Sequence, residues 1–376
     1  MIPLKFIALA LLLLFSCRAG AEAHPAFFLM TGDFATLERY YGNILDAYAK
    51  GHLSDDDLTE DFRRLKDAGP DGRFDEWVVA YPKSYAALLA RGIRRVVGAW
   101  DRRGSDTADK TTDAQFKEFS EGLRLAKKDL LASIYLYPRP IASYAHLMMV
   151  ARGDRRNIDL DRRKLLEAGL KIDPRAYWLR KEYLVGLEPK WGGSLKLMDE
   201  FVKECLGSPM NDKDKARIEA LHYTARAWYF DHMHAYRQAS DMHRKAYQFD
   251  HKAETMYWSA KAAADGNLPE LALERYGELI AAHPDYRYGY RNRGYLYETH
   301  SKNEELAFKD YLAAAEHGDD WAQANVGWWY MAGRYVAKDF DQAERYLKLA
   351  AAQNNPNAIA NLVSLERLRK EANGKR

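Results

Sequence analysis

The densest group of metal-capable side chains in the sequence is His222, Asp231, His232, His234 and His243. Imidazole and carboxylate together would suit zinc or copper. Against this, His232 and His234 fall in a turn between two helical stretches, where water solvates them. His243 takes a groove-filling place in a repeat, as a packing histidine with its hydrogen bonds met. The packing reading is adopted, and no cofactor or metal is expected. Asp55, Asp56 and Asp57 resemble a metal loop at first glance, yet Leu58 and Phe62 continue a helical face with no glycine hinge. The three acids are read as the first turn of a helix capped by Ser54, where the macrodipole favours negative charge. Arginines gather twice, at Arg91, Arg94, Arg95, Arg102 and Arg103 and again at Arg152, Arg155, Arg156, Arg162 and Arg163. Either group could face anionic lipid headgroups or an acidic partner. The preferred reading is a solvated helix face paired with nearby acids, with Asp154, Asp159 and Asp161 beside the second group. Glu76, Asp101, Arg102 and Glu188 would serve as general acid, base or anion clamp if one pocket gathered them. No short catalytic motif accompanies them: there is no H-E-x-x-H, no G-x-S-x-G, no phosphate-cradling glycine loop and no paired-cysteine zinc pattern. Carboxylate-pair enzymes lack such signatures, so an envelope enzyme stands as the alternative function.

The elements that must position these groups are helices. Nearly every segment after His24 has helical period, and strand-like alternation is scarce. Phe34 to Lys50 carries Leu37, Tyr40, Tyr41, Ile44, Leu45 and Tyr48 on one stripe. The C-terminal half repeats itself. Ala239, Ala272, Ala307 and Ala343 lie 33, 35 and 36 residues apart, and Tyr276, Tyr311 and Tyr346 are each 35 apart. Upstream of each alanine is a helix with a small central residue: Ala227, Ala260, Gly294 and Gly327. A small residue there lets two antiparallel helices approach closely, and the aromatic fills the groove between them. One helix pair cannot bury its own apolar face, so successive pairs must stack.

This pattern resembles tetratricopeptide repeats. Glu270 to Tyr276, ending at His283-Pro284-Asp285, is similar to a second helix and its closing proline, and Leu170 to Pro174 looks like the end of another unit. The last unit is closer to Sel1-like repeats, with Ala324, Gly327, Tyr330, Gly333, Val336, Asp339, Ala343, Tyr346, Ala350, Ala351 and Ala358 at that family's spacing. Ahead of the repeats, Glu76-Trp77-Val78, Pro82 to Tyr85, Ala99 to Gly104 and Leu187 to Ser194 are similar, in that order, to a bacterial family catalogued as domain of unknown function 4034. That resemblance implies no activity and no catalytic residues. By their residues alone, Trp100 suits a buried helical anchor and Pro189 to Ser194 a helix stop and turn.

Tetratricopeptide resemblance implies a partner held along the surface made by each unit's first helix. Counted from the small central residue, that surface holds Trp228, Tyr257, Trp258, Lys261, Arg291, Asn292, Tyr295, Ala324, Asn325 and Trp328, joined by Tyr288 and Trp321. Tyr, Trp and Arg have the make-up of a protein-binding hot spot. Asn292 and Asn325 are equivalent, and an amide there can grip an extended backbone. The competing reading packs these rings between repeats; adjacent Trp328 and Trp329 cannot both face the groove.

The first residues bear on compartment. Lys5 precedes an unbroken apolar run, Phe6 to Phe15, about half the length a bilayer helix needs and suited to a secretory signal. Ala21-Glu22-Ala23 fits cleavage before His24, whereas Leu14-Phe15-Ser16-Cys17 resembles a lipobox that would acylate Cys17. Phe15 is an unusual residue there, which favours soluble release. Cys205 would then lack a partner, and no disulfide frame is available. Lys and Arg exceed Asp and Glu by 57 to 54, too even a balance to argue for nucleic acid. The expectation is an exported all-α protein of the periplasm or envelope: a signal over 1–23, an irregular helical domain over 24–206, a helical-repeat solenoid over 212–368 and a polar tail over 369–376. Its function is read as binding another protein, as adaptor, inhibitor or assembly scaffold. Secreted Sel1-like proteins include immunity proteins against phospholipase effectors of the type VI secretion system, so the resemblance implies that role in its sharpest form.

Overall fold

The computed structural model describes residues 24–65, 68–104, 110–154 and 158–373. The signal segment with Cys17, Arg155 and Arg156 of the second basic group, and the last three residues of the tail lie outside them. Among the described residues there are α-helices, one 3-10 turn and no strand. The chain divides into two compact units, Met1–Ile218 and Glu219–Arg376.

The first unit carries α1 (Pro25–Thr31), α2 (Phe34–Ala49), α3 (Asp55–Arg63), α4 (Asp71–Ala80), α5 (Tyr85–Arg103), α6 (Asp113–Ile134), α7 (Ile141–Gly153), α8 (Arg162–Ile172), α9 (Tyr177–Gly186) and α10 (Leu195–Leu206), with the 3-10 turn at Pro189–Trp191. Local chemistry sets the ends. Asp33, Ser84, Thr112, Asp161 and Ser194 each accept a backbone N–H of the helix they precede, which satisfies donors a helix start leaves open. Ser54 does the same for α3, and Asp57 returns the bond to complete a capping box. Only Asp57 of the three acids makes that contact; Asp55 and Asp56 turn into a cavity considered below.

Packing in this unit converges. Helix α5 touches α2, α3, α4, α6 and α7, and α7 touches α3, α5, α6, α8 and α9. The core between them holds Leu37, Tyr41, Phe62, Trp77, Leu89 and Leu147, with Tyr41 stacked on Phe62 at 4.4 Å. The first arginine group turns inward at its base. Asp129 of α6, 2% exposed, accepts Arg91 Nε at 2.9 Å, a second nitrogen of Arg91 at 2.7 Å and Arg95 at 2.7 Å. Asp75 and Asp71 take Arg91, Arg95 and Arg94 outside. The acids that pair this face come from α4 and α6. In the second group Arg152 reaches the distant Glu182 at 3.1 Å, while Arg163 pairs at 2.9 Å both with Glu167, one turn on, and with the distant Glu204. Asp161, expected to pair within the cluster, caps α8.

In the second unit and its approach run α11 (Asp212–His232), α12 (Tyr236–Asp250), α13 (Ala253–Asp265), α14 (Pro269–Ala282), α15 (Arg287–Thr299), α16 (Glu304–Glu316), α17 (Asp320–Ala332), α18 (Phe340–Ala352) and α19 (Pro356–Asn373). From α12 onward each helix packs on its neighbours in the chain, and α17 also meets α19. This is a stack of helix pairs. The small central residues sit where pairs touch: Ala227 and Ala260 are fully buried. A Cβ on Gly294 would stand 2.9 Å from the ring of Tyr311, and one on Gly327 would stand 2.7 Å from Leu347 Cγ. Tyr276, Tyr311 and Tyr346 fill the groove, at most 4% exposed, and each ring taken from water contributes on the order of 2 kcal/mol. The spacing of the last unit has a local cause as well. Gly333 ends α17 with φ +73°, a conformation open to glycine, and Asp339 caps α18.

Candidate functional site

The first helices of the four repeats present one register to solvent. Trp228, Lys261, Tyr295 and Trp328 each follow the small central residue by one. The aromatics among them are 43%, 51% and 37% exposed, although the residue just before each is buried. The helical turn explains this. The central residue faces the partner helix, and the next position lies about 100° around the axis.

The rings are coupled. Trp228 meets Trp258 edge-on at 5.1 Å, and Trp258 meets Tyr257 at 5.4 Å. Tyr257 reaches Tyr288 at 6.3 Å and Tyr286 at 5.9 Å. The Arg291 guanidinium lies 4.8 Å over Tyr288 and pairs with Asp319 at 3.2 Å. Asp319 is 1% exposed, and burial pushes its pKa up in spite of that arginine. Helix α13 ends the polar series with Lys261 bonded to Asp265 at 2.5 Å. Trp328 stands beside Arg334, whose guanidinium sits 5.8 Å over its ring and is held by Glu298 and Glu304.

Not every residue of the expected surface is presented. Ala324 is 4% exposed and belongs to the core between α17 and α18. Trp321 is half-buried and packs edge-on against Tyr311 at 5.3 Å. Asn325 turns its amide back to the Trp321 carbonyl at 2.8 Å, whereas Asn292 donates to Tyr257 at 3.5 Å. The two equivalent amides therefore have different partners. Trp329 is 1% exposed and stacks on Phe308 at 5.6 Å, so the adjacent tryptophans point opposite ways.

The histidines divide in a related way. His232 and His234 are exposed at the end of α11 and in the turn after it, with His234 in the left-handed region at φ 55°. His243 packs edge-on against Trp228 at 5.3 Å. It occupies the groove-filling place, but its Nδ1 is enclosed without a hydrogen-bond partner, contrary to the expected satisfied histidine. Burial lowers its pKa to about 4. Among the described residues no three His, Cys, Asp or Glu side chains are grouped to hold a metal ion. Cys205 is buried, and burial raises its thiol pKa to about 12.

The four carboxylate and arginine candidates for catalysis are dispersed. Glu76 is exposed and pairs with Arg73 at 2.6 Å; Asp101 and Arg102 are exposed near the end of α5; Glu188 is buried and bonded to Lys190 at 2.7 Å. Two of the distinctive N-terminal segments do meet. The Trp100 and Trp191 rings are 5.7 Å apart, edge to face, and Trp100 also packs on Phe119 at 4.8 Å. Trp100 is only half-buried, with its Nε1 enclosed and unbonded.

Among solved structures, the chain is similar to a human IFIT1 dimer with m7Gppp-AAAA, at TM-score 0.38 and 13% identity over 92% of this chain and 80% of that one. It is similar to a Sel1 repeat protein from Oxalobacter formigenes, at 0.36 and 15% over 92% and 95%. It is also similar to yeast Tom70, at 0.33 and 12% over 93% and 88%. No family model matches the sequence, and no curated protein matches it.

Proposed function

We propose that the chain is a non-enzymatic protein-binding adaptor or inhibitor, and that its partner lies along the first helices of the repeats. The observation that carries this reading is the outward register of Trp228, Tyr295 and Trp328, between about a third and a half exposed at the equivalent position of the first, third and fourth units. Large rings held by their neighbours lose little freedom on contact and supply most of the binding energy in protein interfaces. Arg291 is less suited to a test than its position suggested, because removing it would strand the buried Asp319. Tyr295→Ala with Trp328→Ala is the cleaner pair. Captured from an envelope extract, the partner should bind this double variant at least tenfold more weakly while helical content and Tm stay near the parent's. Unchanged affinity would rule the surface out.

In its finer form the proposal is an exported immunity protein that covers the active site of a type VI secretion phospholipase effector. That form rests on the Sel1-like resemblance and on the apolar run Phe6 to Phe15. Mass measurement of the mature chain from the envelope reads the compartment: a start at His24, or a lipid on Cys17, supports export, and retention of Met1 in the cytoplasm contradicts it. Protection of cells from a neighbouring lipase toxin would support the immunity role. A partner that assembles the envelope instead would point to a scaffold working through the same surface.

A further inference from the structure

Within the first unit a cavity of about 310 Å³ opens where α2, α3, the turn before α9 and the start of α11 come together. That volume is at the lower end of small-ligand sites. Its walls carry both signs of charge at two depths. Four carboxylates, Asp55, Asp56, Asp173 and Asp214, share two recessed guanidiniums. Arg139 bonds Asp173 at 2.8 Å and lies 4.8 Å over the Tyr48 ring. Arg217 pairs with Asp56 and with Asp214 at 2.9 Å, and lies 3.7 Å over the Tyr177 ring. The other two cations of the lining, Arg175 and Lys213, are exposed, Arg175 by 74% of its side chain, with its Nε 3.9 Å from Asp173. Four carboxylates thus face Arg139, Arg217 and the buried Arg180 behind Asp55 in the recessed layer, while Arg175 and Lys213 stand at the rim.

A second observation points the same way. Asp55 receives the Tyr48 hydroxyl on Oδ1 at 2.8 Å, but its Oδ2 is enclosed with no donor, as is Oδ1 of Asp56. An enclosed carboxylate oxygen without a partner is costly to keep. Around Asp55 stand Tyr48 of α2, Asp56 beside it, Tyr85 of α5, Arg139 before α7, Asp173 after α8 and Arg180 of α9. Burial is the largest influence on Asp55 and raises its pKa to about 6. Asp55 therefore keeps its proton up to about pH 6, and a cation beside it would let the carboxylate ionise at lower pH.

We propose that this cavity binds a small zwitterion of dipeptide size, its ammonium group seated over the recessed carboxylates and its carboxylate meeting Lys213 and Arg175 at the rim. Asp55 need not touch the ligand; the field of the ammonium acts on it across a short distance. Binding then expels a proton between about pH 4 and 6 and strengthens as pH rises through that window.

The test is calorimetry on the full mature chain with alanyl-alanine, its N-acetyl form and its C-terminal amide. The free dipeptide should bind with proton release at pH 5.5, seen as a dependence of heat on the buffer. The acetylated form should lose at least tenfold in affinity, and the amide should lose less. Asp55→Asn should abolish proton release and raise Tm, since it removes an uncompensated carboxylate; a residue with only a structural role would lower Tm. Lys213→Ala, at an exposed position, should weaken the dipeptide but leave the amide unchanged. No heat with alanyl-alanine at millimolar concentration, or equal affinity for the acetylated form, overturns the proposal.

Discussion

The two units bury their helices by different means. In the first, α5 and α7 each meet five others, and the contact is keyed by charge: Asp129 sits among hydrocarbon and takes three guanidinium hydrogen bonds from Arg91 and Arg95. In the second, each helix meets its chain neighbours, and the contact is keyed by volume, with a small residue set against a bulky side chain of the next helix, as Gly294 is against Tyr311 and Gly327 against Leu347. A convergent core holds together or fails as a whole, because each helix supports several others. A linear stack shares its stability among neighbouring interfaces and can open from an end.

The sharpest way to break the comparison is Asp129→Ala. It leaves two half-buried guanidiniums with only the exposed Asp75 as shared partner, and removing one member of a buried pair costs up to about 3–5 kcal/mol. Hydrogen exchange should show protection lost across α4 to α7 together and retained from α13 to α18. Loss confined to α6 would mean that the first unit is not cooperative. Gly327→Ala is the counterpart in the second unit. The new methyl would meet Leu347 Cγ at 2.7 Å and the Ala343 carbonyl oxygen at 3.1 Å, and overpacking of this kind costs up to about 3 kcal/mol. Here protection should fall from α17 to α19 and persist in α13 and α14. A uniform loss would argue against a stack.

The same contrast explains what the sequence could show. The repeats were legible because their signals are local: a glycine or alanine, then an alanine, then a tyrosine, at separations fixed by the length of one helix pair. The capping role of Ser54 was legible for the same reason, since its partner Asp57 is three residues on. Pairings over long separations were not. Arg91 finds Asp129 38 residues away, and the acids beside Arg163 in the sequence gave no sign that Glu204 would come to it. Asp55 and Asp56 look no different from Asp57 in the chain; only the arrival of Tyr48, Asp173 and Arg217 distinguishes them. Of the surface positions implied by the tetratricopeptide resemblance, the aromatics one after the small residue were found exposed. Ala324 was not, because it belongs to a core shared with α18 and α19, and a side chain's neighbours on another helix leave no mark on its own.

A smaller effect sharpens the comparison by giving both units the same insult. Each contains a histidine almost wholly out of water, His146 in the first and His243 in the second, both 2% exposed; the second unit buries His222 as well, at 7%. Burial lowers each pKa from 6.5 to about 4; at His146 the bond from Nδ1 to the Ala142 carbonyl opposes the shift only in part. The fold thus favours neutral imidazole. The stability this brings is complete above pH 6.5, where the unfolded chain is neutral too, and is lost as pH falls from 6.5 towards 4, where the unfolded chain takes up protons first. At pH 5 each histidine costs its unit about 2 kcal/mol. His243→Phe keeps a ring at the groove-filling place, removes the unbonded Nδ1 and should take His243's share, about 2 kcal/mol at pH 5, out of the second unit's acid response. The first unit, retaining His146, should keep its lability. Exchange protection compared at pH 7 and pH 5 reads the two separately, and equal loss in both units of the variant would show that the acid response of the stack comes from carboxylates rather than from His243.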